Sequence, residues 1–161
     1  TMQILEEKLE QYIEPWLSNT ELESINGRRT EILAHCMEMG KREKGIYRLT
    51  VPTGGGKTIA SLAFALRHAV KHQMDRIIYV IPYTSIIEQN AQVFREILGA
   101  ENVLENHCNV EYKDSEEFYP MQLASENWDK PVVVTTNVQL NLYLETNHRN
   151  AEKSTTLQTV L

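Results

Sequence analysis

The chain has 161 residues, 42 % hydrophobic and 24 % charged, enough for a domain with its own core. Its net charge of −6 excludes a protein that grips nucleic acid over its whole surface, so any such contact must be local. Cys36 and Cys108 stand far apart without Cys-x-x-Cys spacing, which argues against a disulfide framework and a thiolate zinc site, and the absence of any run near 18 apolar residues argues against a membrane span. With no basic-then-apolar leader, the expected setting is the reducing cytoplasm.

Residues 2 to 17 predict a helix, with Ile4, Leu5, Leu9, Tyr12, Ile13 and Trp16 at helical spacing, ended by Pro15 and Ser18-Asn19-Thr20. Thr20 to Glu23 has capping-box spacing, so a second helix starts there or at Asn26, carries Ile32, Leu33 and Cys36, and ends near Gly40. These first helices are expected to pack on the later sheet. After the charged connector Lys41 to Lys44, the apolar run Ile46 to Val51 predicts a strand feeding Pro52-Thr53-Gly54-Gly55-Gly56-Lys57-Thr58. A helix follows to about Gln73, with Ile59, Leu62, Ala63, Leu66 and Val70 on one face.

Arg76 to Ile81 is short, β-branched and continuously apolar, the pattern of a buried parallel strand, and Pro82 stops it. Residues 84 to 98 return to helix, with Ile87, Phe94 and Leu98 inward, up to Gly99. Between 100 and 130 only Val103-Leu104 predicts a strand, and Glu111 to Glu117 predicts a solvated stretch. Val132 to Thr136 is another buried strand, Asn137 is placed to cap the next helix with Leu140, Leu142 and Leu144, residues 146 to 156 predict a polar loop, and Gln158 to Leu161 turns apolar again. Strands alternating with helices give an α/β fold with a parallel sheet, in which ligands sit at the carboxyl ends of the strands. The glycine loop, Pro82-Tyr83-Thr84-Ser85 and Thr135-Thr136-Asn137 are expected to converge on that rim.

The glycine loop carries the sharpest chemistry. Gly54, Gly55 and Gly56 leave no Cβ in the way, so backbone N–H groups can aim at one phosphate, and the helix N-terminus adds positive potential. Lys57 can reach the β- and γ-phosphates and the Thr58 hydroxyl can join a Mg²⁺ shell. The strict pattern has a glycine where this chain has Val51. Elsewhere the readings are plainer. His68 and His72, four apart on a helix, lack an acidic or thiol partner and are read as packing or surface residues rather than a metal pair. His107-Cys108 is half of a metal site with no visible partner. Tyr79 reads as core, Trp16 and Trp128 as structural anchors, and Tyr83 either stacks on a base or packs at the strand end.

Thr50 to Thr58 resembles motif I of superfamily-two helicases, and Ile81-Pro82-Tyr83-Thr84-Ser85-Ile86-Ile87-Glu88-Gln89-Asn90 and Val132-Val133-Val134-Thr135-Thr136-Asn137-Val138-Gln139 resemble two further segments. Their wording is closest to the CRISPR-associated helicase–nuclease of type I systems, and Ile25-Asn26 with Arg29 resembles the stretch that family carries before motif I. The resemblance covers residues 25 to 140. It implies a P-loop NTPase (RecA-like) motor domain over 25–161, truncated before Walker B, behind a helical segment or linker over 1–24. It implies ATP and Mg²⁺ as cofactors, with Lys57 and Thr58 catalytic and Thr53, Gly54, Gly55, Gly56, Lys57, Thr58, Asn26 and Arg29 around ATP. Pro82, Tyr83, Thr84, Thr135 and Thr136 would face single-stranded DNA, and an RNA-guided surveillance complex would be the partner in degrading invading DNA.

The chain departs from the family where the acidic Walker B pair is expected: Asp75, Asp114 and Asp129 are not followed by Glu, and no His-Asp pair marks a nuclease. The expectation is a fragment that binds nucleotide without turning it over, whose open sheet edge favours self-association. The rival readings are another superfamily-two translocase, such as a restriction subunit or an RNA helicase, and a non-catalytic interaction module that keeps the P-loop fold.

Overall fold

The protein is described here from a computed structural model covering residues 1–18, 24–52, 54–107, 128–146 and 154–158. Thr53, Cys108, the Thr20 to Glu23 box and the Glu111 to Glu117 stretch lie outside the described residues. The chain forms two compact units, Thr1–Met74 and Asp75–Leu161.

The first unit is helical. Helix α1 (Met2–Leu17) buries Met2, Leu5, Leu9 and Ile13, one stripe at helical spacing. Pro15 lies inside it, two residues before its end, where it interrupts little. Helix α2 (Ile25–Gly40) begins at Ser24, whose Oγ accepts from Gly27 N at 3.0 Å. It ends against α3 (Lys57–Lys71) so closely that a Cβ on Gly40 would lie 2.8 Å from Phe64 O and from Arg67 Cβ. Alanines 60, 63, 65 and 69 on α3 are buried and keep that approach short. Arg67 of α3 forms an ion pair with Glu6 of α1 at 2.9 Å and a second with Glu10 at 2.6 Å. The helix α3 closes on Gln73, which adopts φ 54°, with Met74 N donating to Ala69 O at 2.8 Å and Gln73 N to Val70 O at 3.3 Å.

The run Ile46 to Val51 forms no strand. A strand needs a sheet edge to satisfy its backbone, and within the described part of this unit there are only helices. Ile46 is fully exposed, while Tyr47 packs its ring on Phe64 at 5.1 Å and Val51 is buried.

The second unit is a four-stranded parallel sheet in the order β2-β3-β1-β4, built from β1 (Arg76–Val80), β2 (Val103–Asn106), β3 (Val132–Thr135) and β4 (Ser154–Gln158). The polar stretch expected as a loop over 146 to 156 thus supplies the start of a strand, whose backbone pairs along the whole of β1. Helix α4 (Thr84–Leu98) and helix α5 (Asn137–Thr146) cover the two faces. Alternation along the strands decides which side chain meets which helix. Tyr79 turns to α4, where it meets Phe94 at 4.7 Å, while Ile78, Val80 and Val133 turn to a cluster with Trp128 and Tyr143. Those two rings stack at 3.8 Å and 4° apart in plane, and Arg76 Nη1 donates to Tyr143 Oη at 2.8 Å. Tyr79 and Trp128 are core residues, as their sequence context predicts. Among the described residues no helix is long and apolar enough to cross a membrane.

Candidate functional site

The glycine loop owes its shape to two different constraints. Gly54 (φ 82°) and Gly56 (φ 76°) occupy the left-handed region, which costs a residue with a Cβ about 1–2 kcal/mol. Gly55 has ordinary φ but no room: a Cβ there would overlap Val51 Cγ1 and lie 3.0 Å from Pro52 O. Gly55 N donates to Pro52 O at 3.0 Å and closes the turn. The loop delivers the chain to Gly56 at the N-terminus of α3, where no side chain caps the helix and no acidic residue sits in its first turn. The uncapped first-turn N–H groups and the helix dipole make this end a place for an anion. Lys57 and Thr58 are half-buried on that first turn. The cradle fits a phosphate chain, because its backbone conformation favours glycine at 54 and 56 and Val51 leaves no room for a Cβ at 55.

Arg29 of α2 braces this loop. Its Nε donates to Gly54 O at 2.8 Å, and its Cγ would lie 3.7 Å from a Cβ on Gly56. Beside the loop opens a cavity of about 310 Å³. Gly56, Ile59 and Ala60 form one side, Asn26, Arg29, Thr30 and Leu33 of α2 a second, and Pro15 and Trp16 of α1 a third. Trp16 is 40 % exposed and rests edge-on against Tyr12 at 5.3 Å. Thr30 Oγ1 lies 3.0 Å from both Trp16 O and Asn26 O, which ties the end of α1 to the start of α2. Trp16, expected as a structural anchor, thus also forms a wall of the cavity. The sequence signal for it was present, a Pro-Trp pair ending an amphipathic helix ahead of Asn26, but nothing local says which way that pair faces.

In the second unit, Val80 of β1 stands level with Thr135 of β3, and Ile81 N donates to Thr135 O at 2.9 Å, so both strands end on one rim. Pro82 and Tyr83 are exposed there, Tyr83 by 61 %, and Thr84 is half-buried. Tyr83 O accepts from Ile86 N and Ile87 N at 3.1 Å each, which starts α4. Thr135 is fully buried and its Oγ1 donates to Asn106 O at 2.8 Å, so it supports the rim from within. Thr136 is half-buried and its Oγ1 accepts from Gln139 N at 3.3 Å, the capping role expected of Asn137. Two of the three expected strand-end segments thus end adjacent strands, while the glycine loop follows a segment that is not a strand.

The histidine pair is packing. His68 Nδ1 lies 3.0 Å from Gly40 O and His72 Nε2 lies 2.9 Å from Arg42 O, with the rings 4.3 Å apart. His68 is buried rather than on an exposed face, and burial pushes its titration below the ordinary 6.5.

Among known families, residues 5–159 match the one described as the type III restriction enzyme, res subunit. No curated protein matches the chain.

Proposed function

The chain belongs to the type III restriction enzyme res-subunit family, whose motor is a helicase-like ATPase of superfamily two, and from that premise we propose that it is the ATP-binding part of a DNA translocase. The observation that carries the reading is the glycine cradle at the uncapped N-terminus of α3, set beside a cavity with an aromatic wall. In this reading the N–H groups of Gly54, Gly55 and Gly56 hold the phosphates. Lys57 neutralises the β- and γ-phosphates, and the Thr58 hydroxyl joins the Mg²⁺ shell. Trp16 and Pro15 offer the base an apolar face, Asn26 offers it an amide, and Arg29 keeps the cradle in shape. Thr53 joins the phosphate site on the strength of the motif alone. Bound ATP supplies the free energy that moves the nucleic acid.

Single-stranded DNA then runs over the rim of the second unit, where Pro82, Tyr83, Thr84 and Thr136 meet the backbone and Thr135 holds the rim beneath them. Phosphate contacts of this kind position a strand without reading its bases, which suits an acidic protein with a local contact. The finer reading is a cytoplasmic motor that works with a nuclease and an RNA-guided surveillance complex in CRISPR interference, supported by the wording of the three motif segments. A restriction-type translocase is the second reading, favoured by the description of the matched family.

Calorimetric titration with ATP–Mg²⁺ tests the common core of both readings. Saturable binding by the wild-type chain, lost on Lys57→Ala, is the expected result; equal binding by both proteins refutes the assignment of the cradle.

A further inference from the structure

We infer that Glu88, Glu105 and His107 form a binding site for a divalent transition-metal ion, independent of the nucleotide cradle. One ligand atom from each lies within 4.8 Å of the others. Glu105 is on β2 and His107 follows its end, two apart and so on one face of the extended chain. Glu88 comes from the start of α4. Glu105 stands two residues before His107 in the sequence, and only Glu88 arrives from another element.

The cluster has the features of a ligand set rather than of a surface ion pair. The His107 side chain is 2 % exposed and that of Glu105 14 %, so both are largely withdrawn from water. Arg95, seven residues after Glu88 on α4, donates from Nη2 to Glu105 Oε2 at 2.9 Å. That contact leaves Oε1 turned to His107 Nε2 at 2.7 Å, the way an outer-shell donor orients a ligating carboxylate. Two carboxylates and one guanidinium leave one net negative charge, which a divalent ion reverses. One imidazole with two carboxylates suits Zn²⁺ or Mn²⁺ better than the oxygen-only shells of Mg²⁺ and Ca²⁺.

Zinc bonds of about 2.0–2.1 Å in a tetrahedron set ligand atoms about 3.3 Å apart. The Glu105–His107 separation of 2.7 Å must therefore open slightly, and exposed Glu88 must swing in. Binding through Nε2 needs its lone pair, so a proton held between Nε2 and Glu105 is released to solvent, and none is released when the imidazole carries its proton on Nδ1. Three protein ligands leave a position for water or a phosphate oxygen. The ion would join the first turns of α4 to the end of β2, beside Asn106 and Thr135.

The test is Zn²⁺ titration of the whole chain by calorimetry, with Co²⁺ visible absorption as a second readout of ligand geometry. One saturable site is expected, weakened by about tenfold or more in Glu88→Gln and in His107→Gln and unchanged in His72→Gln, since losing a ligand costs at least what losing an outer-shell partner does. Glu88 is exposed, so its variant keeps the fold even if the His107 variant does not. The absence of saturable binding by the wild-type chain overturns the proposal. So does Glu88→Gln binding within about twofold of wild type, or loss of binding in His72→Gln, which would move the ion to α3.

Discussion

At position 55 the missing side chain and Val51 Cγ1 claim the same space. Gly55→Ala is expected to destabilise the protein by about 1–3 kcal/mol through overpacking, and to weaken nucleotide binding with it. Val51→Ala removes Cγ1, so the double substitution should recover part of that loss; urea denaturation of the four proteins in the cycle measures the coupling. The departure of the loop from its strict motif, valine in place of the first glycine, is thus paid back by a glycine four residues later. His68 adds a pH dependence. Its folded-state titration is lowered by burial, so the folded chain binds fewer protons than the unfolded one. Stability from this group is complete above pH 6.5 and is lost as pH falls through the lowered folded value. The urea midpoint of wild type should therefore drop more steeply than that of His68→Asn, which keeps a donor for Gly40 O but does not titrate; parallel curves would remove His68 as the cause.

Between elements, the contact of α1 with α3 rests on Arg67 and the largely buried Glu6. Burial raises the Glu6 titration and Arg67 opposes that rise. Arg67→Ala leaves the carboxylate without its counter-charge and should cost about 1–3 kcal/mol, read from chemical denaturation. The end of α3 offers the opposite sign. Gln73 holds φ 54° at a position where glycine is free of strain, so Gln73→Gly should stabilise by about 0.5–1 kcal/mol, read as a raised denaturation midpoint. Periodicity was enough to place α1, α2, α3 and α4, because each repeats apolar residues at helical spacing. The β1 and β3 runs were legible for the reverse reason, continuous burial with β-branched residues. Ile46 to Val51 misled because composition records the preference for a strand and not the presence of an edge. Ser154 to Gln158 escaped notice because its polar sequence carries no burial pattern, and only its pairing with β1 makes it a strand.

For the whole molecule, the phosphate cradle was readable because its chemistry is local: glycines, a lysine and a threonine in consecutive positions before a helix. The cavity wall at Trp16 and the Glu88–Glu105–His107 set were not, since each depends on how separate elements pack and not on a local run of residues. The sheet order makes a prediction of its own. Among the described residues β1 and β3 are paired on both sides and β2 and β4 on one, so amides of the central strands should exchange with deuterium last; faster exchange in β3 than in β2 would contradict the order. That order also imposes a sequence in time. β1 and β2 leave the ribosome first, yet they never touch, because the slot between them belongs to β3. Until residues 132–135 are made, Arg76–Val80 and Val103–Asn106 lack the strand that each pairs with in the sheet. The strand Val132–Thr135 is the keystone of this unit, the last of the three neighbours to arrive and the one without which the others cannot close.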